Sequence, residues 1–193
     1  MNRLMKPLFF VTFVTLTAGG LALTQPVKEA TAGVPLKMHG PMEHIAGVWT
    51  GRAKMWIGPG IQEPVEGVCT WRVTPILGGR YVRCEVSGSL PGVGPFTGER
   101  VCGFDTVTGK FVGSWVDNQS NDIIHGTGEP SEDGRTITWT YTSSCPITGT
   151  PAMIRETHTT TVPGTMLFEL FVTDTGANKE FKRVRVDFTR LPA

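Results

Sequence analysis

The chain has 193 residues, of which 39% are hydrophobic and 18% are charged, and its formal net charge is +1. This length and composition fit one globular domain and exclude a disordered chain, a coiled coil and a collagen-like repeat. The near-zero net charge also excludes the basic surface that nucleic-acid binding requires.

The first 32 residues are typical of an export signal. Arg3 and Lys6 precede an uncharged, mostly apolar run over residues 8–23, and small residues follow it. The segment 30–32 (Ala-Thr-Ala) forms a cleavage site, with 20–22 (Gly-Leu-Ala) as an earlier alternative. The competing interpretation is a retained membrane anchor, because the uncharged stretch is long enough to span a bilayer.

Cleavage after residue 32 leaves a single domain over 33–193. It removes three basic groups and one acidic group, so the mature domain has a net charge of −1. We therefore predict a periplasmic or secreted protein that has neither a nucleic-acid nor a membrane partner after cleavage.

The mature chain consists of short alternating runs separated by Gly, Pro, Asn and Asp, a pattern that predicts strands and turns. Links of roughly four to eight residues permit antiparallel neighbours and exclude the long crossovers of a parallel sheet. Because closure removes exposed sheet edges, we predict an all-β fold, a closed antiparallel up-and-down barrel. A two-sheet sandwich is the alternative. The ten predicted strands lie at about 46–57, 64–74, 80–88, 95–104, 109–117, 122–129, 135–143, 152–162, 166–174 and 179–190.

Alternation gives each strand one apolar face, which we expect to point inward. In the strand 135–143 the apolar face carries Ile137, Trp139 and Tyr141, and in the strand 80–88 it carries Val82 and Cys84. A barrel of this strand number has room for a ligand. The predicted ligand-binding lining is Trp71, Val82, Arg100, Trp115, Trp139 and Tyr141. The alternative for the aromatic members is that they only fill the core.

Four cysteines remain after cleavage, an even count that suggests disulfides in an exported protein. Symmetric hairpins would place Cys69, Cys84 and Cys102 in one row on the apolar face. We predict one cross-strand bridge that uses Cys84, with a reduced buried row as the alternative. Cys145 has no evident partner. Because no cysteine or histidine spacing fits a zinc site, we predict no metal.

The first strand opens with Gly47-Val48-Trp49, which resembles the Gly-x-Trp start of lipocalins and their calycin relatives. Trp49 is expected to plug one end of the barrel, and Arg190 from the last strand to lie across its ring.

An ordered series of motifs extends this resemblance over nearly all of 39–191. The chain is similar to a bacterial family known as domain of unknown function one-five-seven-nine. The resemblance implies a lipocalin-like barrel that is often exported, and it implies no established activity, catalytic residue or cofactor. The motifs are Leu77-Gly78-Gly79-Arg80-Tyr81, Phe96-Thr97-Gly98, Gly103-Phe104-Asp105, the run 111–117 and the run 186–190.

Among charged residues, Arg100 is two positions before Cys102 and therefore shares its inward face. An inward guanidinium could bind the carboxylate or phosphate of a ligand. His158 is a candidate haem ligand, but a two-residue turn at Pro163-Gly164 would pair it with Glu169 on the outer face. Asp117 and His125 flank a polar loop without an accompanying nucleophile, so no catalytic residue is assigned.

These observations predict a protein that binds a small hydrophobic or amphipathic molecule inside the barrel, without a cofactor. The first alternative is an enzyme that acts on a small ligand in the same cavity, with Asp117, His125 or His158 as the base. The second is a haem-binding barrel that uses His158.

Overall fold

The computed structural model describes residues 42, 44–92, 94–144, 151–174 and 179–192. They form ten strands and one short 3-10 turn over Leu77–Gly79. The strands are β1 (Gly47–Met55), β2 (Val65–Ile76), β3 (Tyr81–Leu90), β4 (Gly94–Asp105), β5 (Lys110–Asp117), β6 (Ile124–Pro130), β7 (Thr136–Ser144), β8 (Pro151–Thr160), β9 (Thr165–Asp174) and β10 (Lys179–Arg190).

The ten strands form a closed antiparallel barrel in which each strand pairs with its neighbours along the chain and β1 pairs with β10. The predicted up-and-down barrel is therefore confirmed. Short turns make this topology possible. In the β4–β5 hairpin, Asp105 accepts hydrogen bonds from the Val107 amide and the Thr108 hydroxyl, and Gly109 takes the left-handed φ of 70° that closes the turn.

One end of the barrel is plugged by its own side chains. The Trp49 indole is 1% exposed and donates a hydrogen bond of 2.8 Å to the carbonyl of Ile45. Arg190 lies across the indole, with its Cζ 4.6 Å from the ring centroid, and donates to the carbonyl of His44. This arrangement is the one expected from the Gly-x-Trp motif. We call this the closed end of the barrel.

At the opposite end, where residues 56–64 link β1 to β2 and residues 118–123 link β5 to β6, the inner face is less deeply buried. Several inward-facing apolar side chains there are only half-buried, so solvent contacts part of their surface. We call this region the open-end chamber. Its half-buried residues include Met55, Cys69, Val86, Trp115, Ile124, Ile154 and Val184.

Within the part of the chain that the structure describes, no helix has the length and hydropathy that crossing a bilayer requires.

Candidate functional site

A buried ion pair crosses the barrel interior between β4 and β8, which are separated by three strands on one side and five on the other. Arg100 on β4 is 5% exposed and Glu156 on β8 is 4% exposed. The Nη2 atom of Arg100 donates to both carboxylate oxygens of Glu156, at 2.6 and 2.8 Å. The inward orientation expected for Arg100 is observed, and Glu156 was not predicted.

His158 completes the cluster because it lies two residues after Glu156 on the same face of β8. Its Nε2 atom contacts the Glu156 carboxylate and lies 3.4 Å from Nη1 of Arg100. The expected outward position of His158 is therefore wrong. The β8–β9 link comprises the four residues 161–164, and His158 pairs with Phe168 instead of Glu169. This one-residue shift turns the side chain inward.

The electrostatics of the cluster follow from its burial. Removal from water raises the pKa of the Glu156 carboxyl, but the charge of Arg100, helped by His158, outweighs this effect and lowers the pKa to about 2. Burial likewise lowers the pKa of Arg100, but Glu156 and, to a smaller extent, Tyr141 and the two cysteines Cys102 and Cys84 together raise it by more, so the net shift is upward. Arg100 and Glu156 are therefore both charged over the physiological pH range and neutralise each other.

Three aromatic rings surround the guanidinium of Arg100. Its Cζ atom lies 4.9 Å from the ring centroid of Trp139, 5.5 Å from that of Tyr141 and 5.8 Å from that of Trp115. These distances are within the range of cation–π attraction, which is strengthened away from water. The sequence predicted that aromatic rings line the interior. In the structure these three rings surround one buried cation, the guanidinium of Arg100.

Glycines on neighbouring strands allow these rings to lie flat against the barrel wall. A Cβ atom on Gly98 would lie 2.3 Å from the Trp115 ring, and one on Gly126 would lie 2.2 Å from the Tyr141 ring. A Cβ atom on Gly128 would likewise lie 2.9 Å from the Trp139 ring. Because these glycines have no side chain, the rings do not have to project across the interior.

The remaining predicted lining residues lie nearer the closed end or against the cluster. Trp71 is buried, with its ring 5.2 Å from His158 and 5.6 Å from Phe188. Val82 is completely buried. Both face inward, as expected, and Trp71 forms the side of the site that faces His158.

The cysteine row differs from the expected one. Cys69 pairs with Gly88, Cys84 with Arg100, and Cys102 with Val82, so the expected direct opposition of these cysteines is wrong. The cause is that neither hairpin is symmetric about the assumed residue. All three are free thiols in the structure, and Cys84 shares a hydrogen bond with Cys102. Cys145 lies outside the described residues.

The thiols differ in their ionisation. Burial raises the pKa of Cys69 to about 11. The hydrogen bond with Cys102, together with burial, raises the pKa of Cys84, and the same hydrogen bond, aided by Arg100, lowers the pKa of Cys102.

The other candidate bases lie apart from the cluster. His125 is exposed, and Asp117 caps the turn after β5 by accepting from the amides of Gln119 and Ser120 and from the Trp115 indole. Of the three candidate bases only His158 lies inside the barrel, where its Nε2 atom contacts Glu156 and Arg100. The interior therefore contains the acid–base pair that the enzyme interpretation requires, and the enzyme and haem interpretations both stay predictions. Among the described residues, no group of three or more His, Cys, Asp or Glu is arranged to hold a metal ion.

Two buried polar atoms of the site have no hydrogen-bond partner among the described residues: Nε of Arg100 and the hydroxyl oxygen of Tyr141. Both side chains are at most 5% exposed. Sequence reasoning did not identify this feature, because it depends on which partners the neighbouring strands supply.

Comparison with solved structures supports the architecture. A phycobiliprotein lyase of S type, CPES from Guillardia theta, matches at 13% identity with a TM-score of 0.52, covering 79% of this chain and 91% of that one. Two weaker likenesses are EF1p2_mFAP2b bound to DFHBI (10% identity, TM-score 0.44, 80% and 100% covered) and a redesigned β-barrel (12% identity, TM-score 0.42, 81% and 99% covered).

A comparison with curated proteins finds no match. The chain does match a family model over residues 34–190, the one described as protein of unknown function (DUF1579). The resemblance carried by the ordered motifs is thereby confirmed, and the protein belongs to the DUF1579 family.

Proposed function

We propose that this protein binds a small hydrophobic or amphipathic molecule in the open-end chamber. The observation that carries the proposal is the contrast along the barrel axis. Most apolar side chains that face inward near the closed end are buried, with Phe104 and Phe168 as half-buried exceptions. Nearer the other end, Val86, Ile124 and Ile154 are half-buried. Apolar inner surface that solvent can reach, above a few convergent polar groups, is the usual character of a ligand site.

The Arg100–Glu156–His158 cluster forms the floor of this chamber. It places polar groups at the inner end of an otherwise apolar lining, so an amphipathic molecule would enter with its polar atom first. Trp115 and Tyr141 supply the adjacent walls, and the indole of Trp115 is the more exposed of the two.

The test is titration with 1-aminoanthracene, an uncharged fluorescent probe whose emission rises in an apolar environment. We expect saturable binding to the purified protein. Ile154→Trp, which fills the chamber, should abolish the fluorescence increase. Met153→Trp is the matched control because Met153 is the next residue on the same strand and is 49% exposed on the outer face.

The proposal fails if the unmodified protein does not bind the probe. It also fails if Ile154→Trp and Met153→Trp bind the probe equally well, because the probe would then sit outside the barrel. Circular dichroism of both variants establishes that the barrel is intact.

We further propose that the protein is exported, with residues 1–32 as a cleaved signal. The basic start and the apolar run support this, as does the family match, which begins at residue 34. Expression of the full chain in a Gram-negative host should yield periplasmic or secreted protein whose N-terminus is residue 33 or residue 23. Recovery of the intact chain from the membrane fraction would instead indicate a retained anchor.

In an oxidising compartment we propose a disulfide between Cys84 and Cys102, whose thiols share a hydrogen bond. An external disulfide such as oxidised glutathione accepts the two electrons, and the protein loses two hydrogen atoms. Alkylation followed by mass spectrometry of the exported protein should show these two thiols blocked and Cys69 alkylated after denaturation. Alkylation of both Cys84 and Cys102 without a reductant would contradict the proposal.

A further inference from the structure

The floor of the open-end chamber holds two hydrogen-bond donors without an acceptor. Nε of Arg100 and the hydroxyl of Tyr141 are buried, and neither has a partner among the described residues. A buried polar group left unpaired costs about 1–3 kcal/mol. One of these groups belongs to the guanidinium itself and the other to a ring whose centroid lies 5.5 Å from its Cζ, so together they point to an acceptor from outside the chain.

The two unpaired groups can donate hydrogen bonds, but they carry no uncompensated charge. Nη2 of Arg100 already donates to both oxygens of Glu156, so the positive charge has its counter-ion. Burial raises the pKa of Tyr141, so its hydroxyl keeps the proton at neutral pH. A carboxylate or phosphate would add a second negative charge beside Glu156 in a region shielded from water, which is unfavourable.

The walls beside these donors are flat. Trp115 lies against Gly98 and Tyr141 against Gly126, while the rings of Trp139 and Tyr141 are stacked with an angle of 11° between their planes. Flat aromatic walls favour a planar ring system over a flexible alkyl chain, because stacking needs extended parallel contact.

We infer that the chamber selects an uncharged planar molecule with a carbonyl oxygen, which accepts hydrogen bonds from the Tyr141 hydroxyl and from Nε of Arg100. This deepens the proposed function and rests on it. It also replaces the expectation, drawn from Arg100 alone, that the ligand carries an anionic group. Glu156, which that expectation did not include, provides the anion.

Three probes with one naphthalene ring and substituents of similar size test the inference. They are 2-acetylnaphthalene, which has a neutral carbonyl, 2-naphthoate, which has a carboxylate, and 2-ethylnaphthalene, which has no acceptor. Isothermal titration of the purified protein should give a Kd for 2-acetylnaphthalene about tenfold lower than for either of the others, the effect of one or two hydrogen bonds.

Two variants assign the effect to the named groups. Tyr141→Phe should weaken 2-acetylnaphthalene binding about tenfold and leave 2-ethylnaphthalene unchanged. Tyr81→Phe is the matched control, because Tyr81 is the only other tyrosine and is 41% exposed. Glu156→Gln releases Arg100 from its counter-ion and should raise the affinity for 2-naphthoate at least tenfold.

The possible failures are distinguishable. If all three probes bind equally and Tyr141→Phe changes nothing, the chamber binds ligands but the carbonyl selection is wrong. If 2-naphthoate binds best to the unmodified protein, the selection is for anions and the inference is overturned. If 2-ethylnaphthalene and the other two all fail to bind, the proposed function falls, and the inference falls with it.

Discussion

Removing one member of the buried ion pair should destabilise the barrel far more than removing the equivalent member of an exposed pair. In Arg100→Leu the carboxylate of Glu156 stays buried without a counter-ion, which typically costs about 3–5 kcal/mol. The pKa of Glu156 gives a compatible magnitude. Its fall from the ordinary 4.5 to about 2 corresponds to about 3 kcal/mol at about 1.4 kcal/mol per pH unit.

The chain contains a matched exposed pair on the outer face. Arg155 donates to both oxygens of Glu180, at 2.9 and 2.7 Å, and the two side chains are 39% and 40% exposed. Arg155→Leu should cost about 1 kcal/mol or less, because water screens the charges and solvates the carboxylate that remains. Arg155 also lies over the Phe171 ring, so part of even this cost belongs to another contact.

Urea denaturation followed by tryptophan fluorescence measures both free energies of unfolding. Urea is preferable to guanidinium chloride, whose ions would screen the exposed pair. The double variant Arg100→Leu/Glu156→Leu should recover most of the loss, because it removes the unpaired charge. A cost of Arg100→Leu no larger than that of Arg155→Leu, or a double variant less stable than either single one, would show that the buried carboxylate does not carry this penalty.

Three further changes follow from the same structure. Because folding lowers the pKa of Glu156, the contribution of this residue to stability is complete above about pH 5 and is lost as the pH falls towards about 2. In Glu156→Gln the free energy of unfolding should therefore depend less on pH in that range than it does in the unmodified protein. Gly126→Ala should cost about 1–3 kcal/mol in urea denaturation, because the new methyl group would lie 2.2 Å from the Tyr141 ring. Arg190→Ala should cost about 1 kcal/mol and change the Trp49 fluorescence, because it removes the cation above that indole.

Controls for these changes are available in the same chain. Gly58→Ala should be nearly neutral, because the nearest atom to a new Cβ is 3.9 Å away. Arg83→Ala breaks only an exposed ion pair with Glu99 and should leave tryptophan emission unchanged. A flat pH dependence of the unmodified protein below pH 5, or equal costs for the two glycine changes, would contradict the packing and charge assignments.

The fold was predictable because its signals are local. The alternation of apolar and polar residues identified the strands, and the links between them are too short for the crossover connections that a parallel sheet needs. The register was not predictable, since it depends on how each turn is built. The β2–β3 hairpin contains the turn Leu77–Gly79 and pairs Ile76 with Tyr81, which moves the partner of Cys69 from the expected Cys84 to Gly88.

Whether a register error was an even or an odd number of residues decided which predictions of side-chain orientation were correct. The β2–β3 and β3–β4 pairings are shifted by four and two residues, so Cys84 and Arg100 kept their inward faces although their partners changed. The β8–β9 pairing is shifted by one residue, and His158 moved to the opposite face. A better signal for β8 was its own alternation, because Ala152 and Ile154 share a face with Glu156 and His158.

The ion pair also changes the expected character of the interior. The sequence predicted an apolar lumen with one charge, whereas the structure places Glu156 inside the barrel as well, paired with Arg100. A buried ion pair rarely stabilises a protein more than apolar residues of the same size would. Stability alone therefore does not explain why β4 and β8 carry this pair, with two donors unpaired beside it. A polar floor that donates hydrogen bonds to an uncharged ligand and disfavours an anionic one does explain the presence of the pair. Ligand polarity is therefore the property to measure.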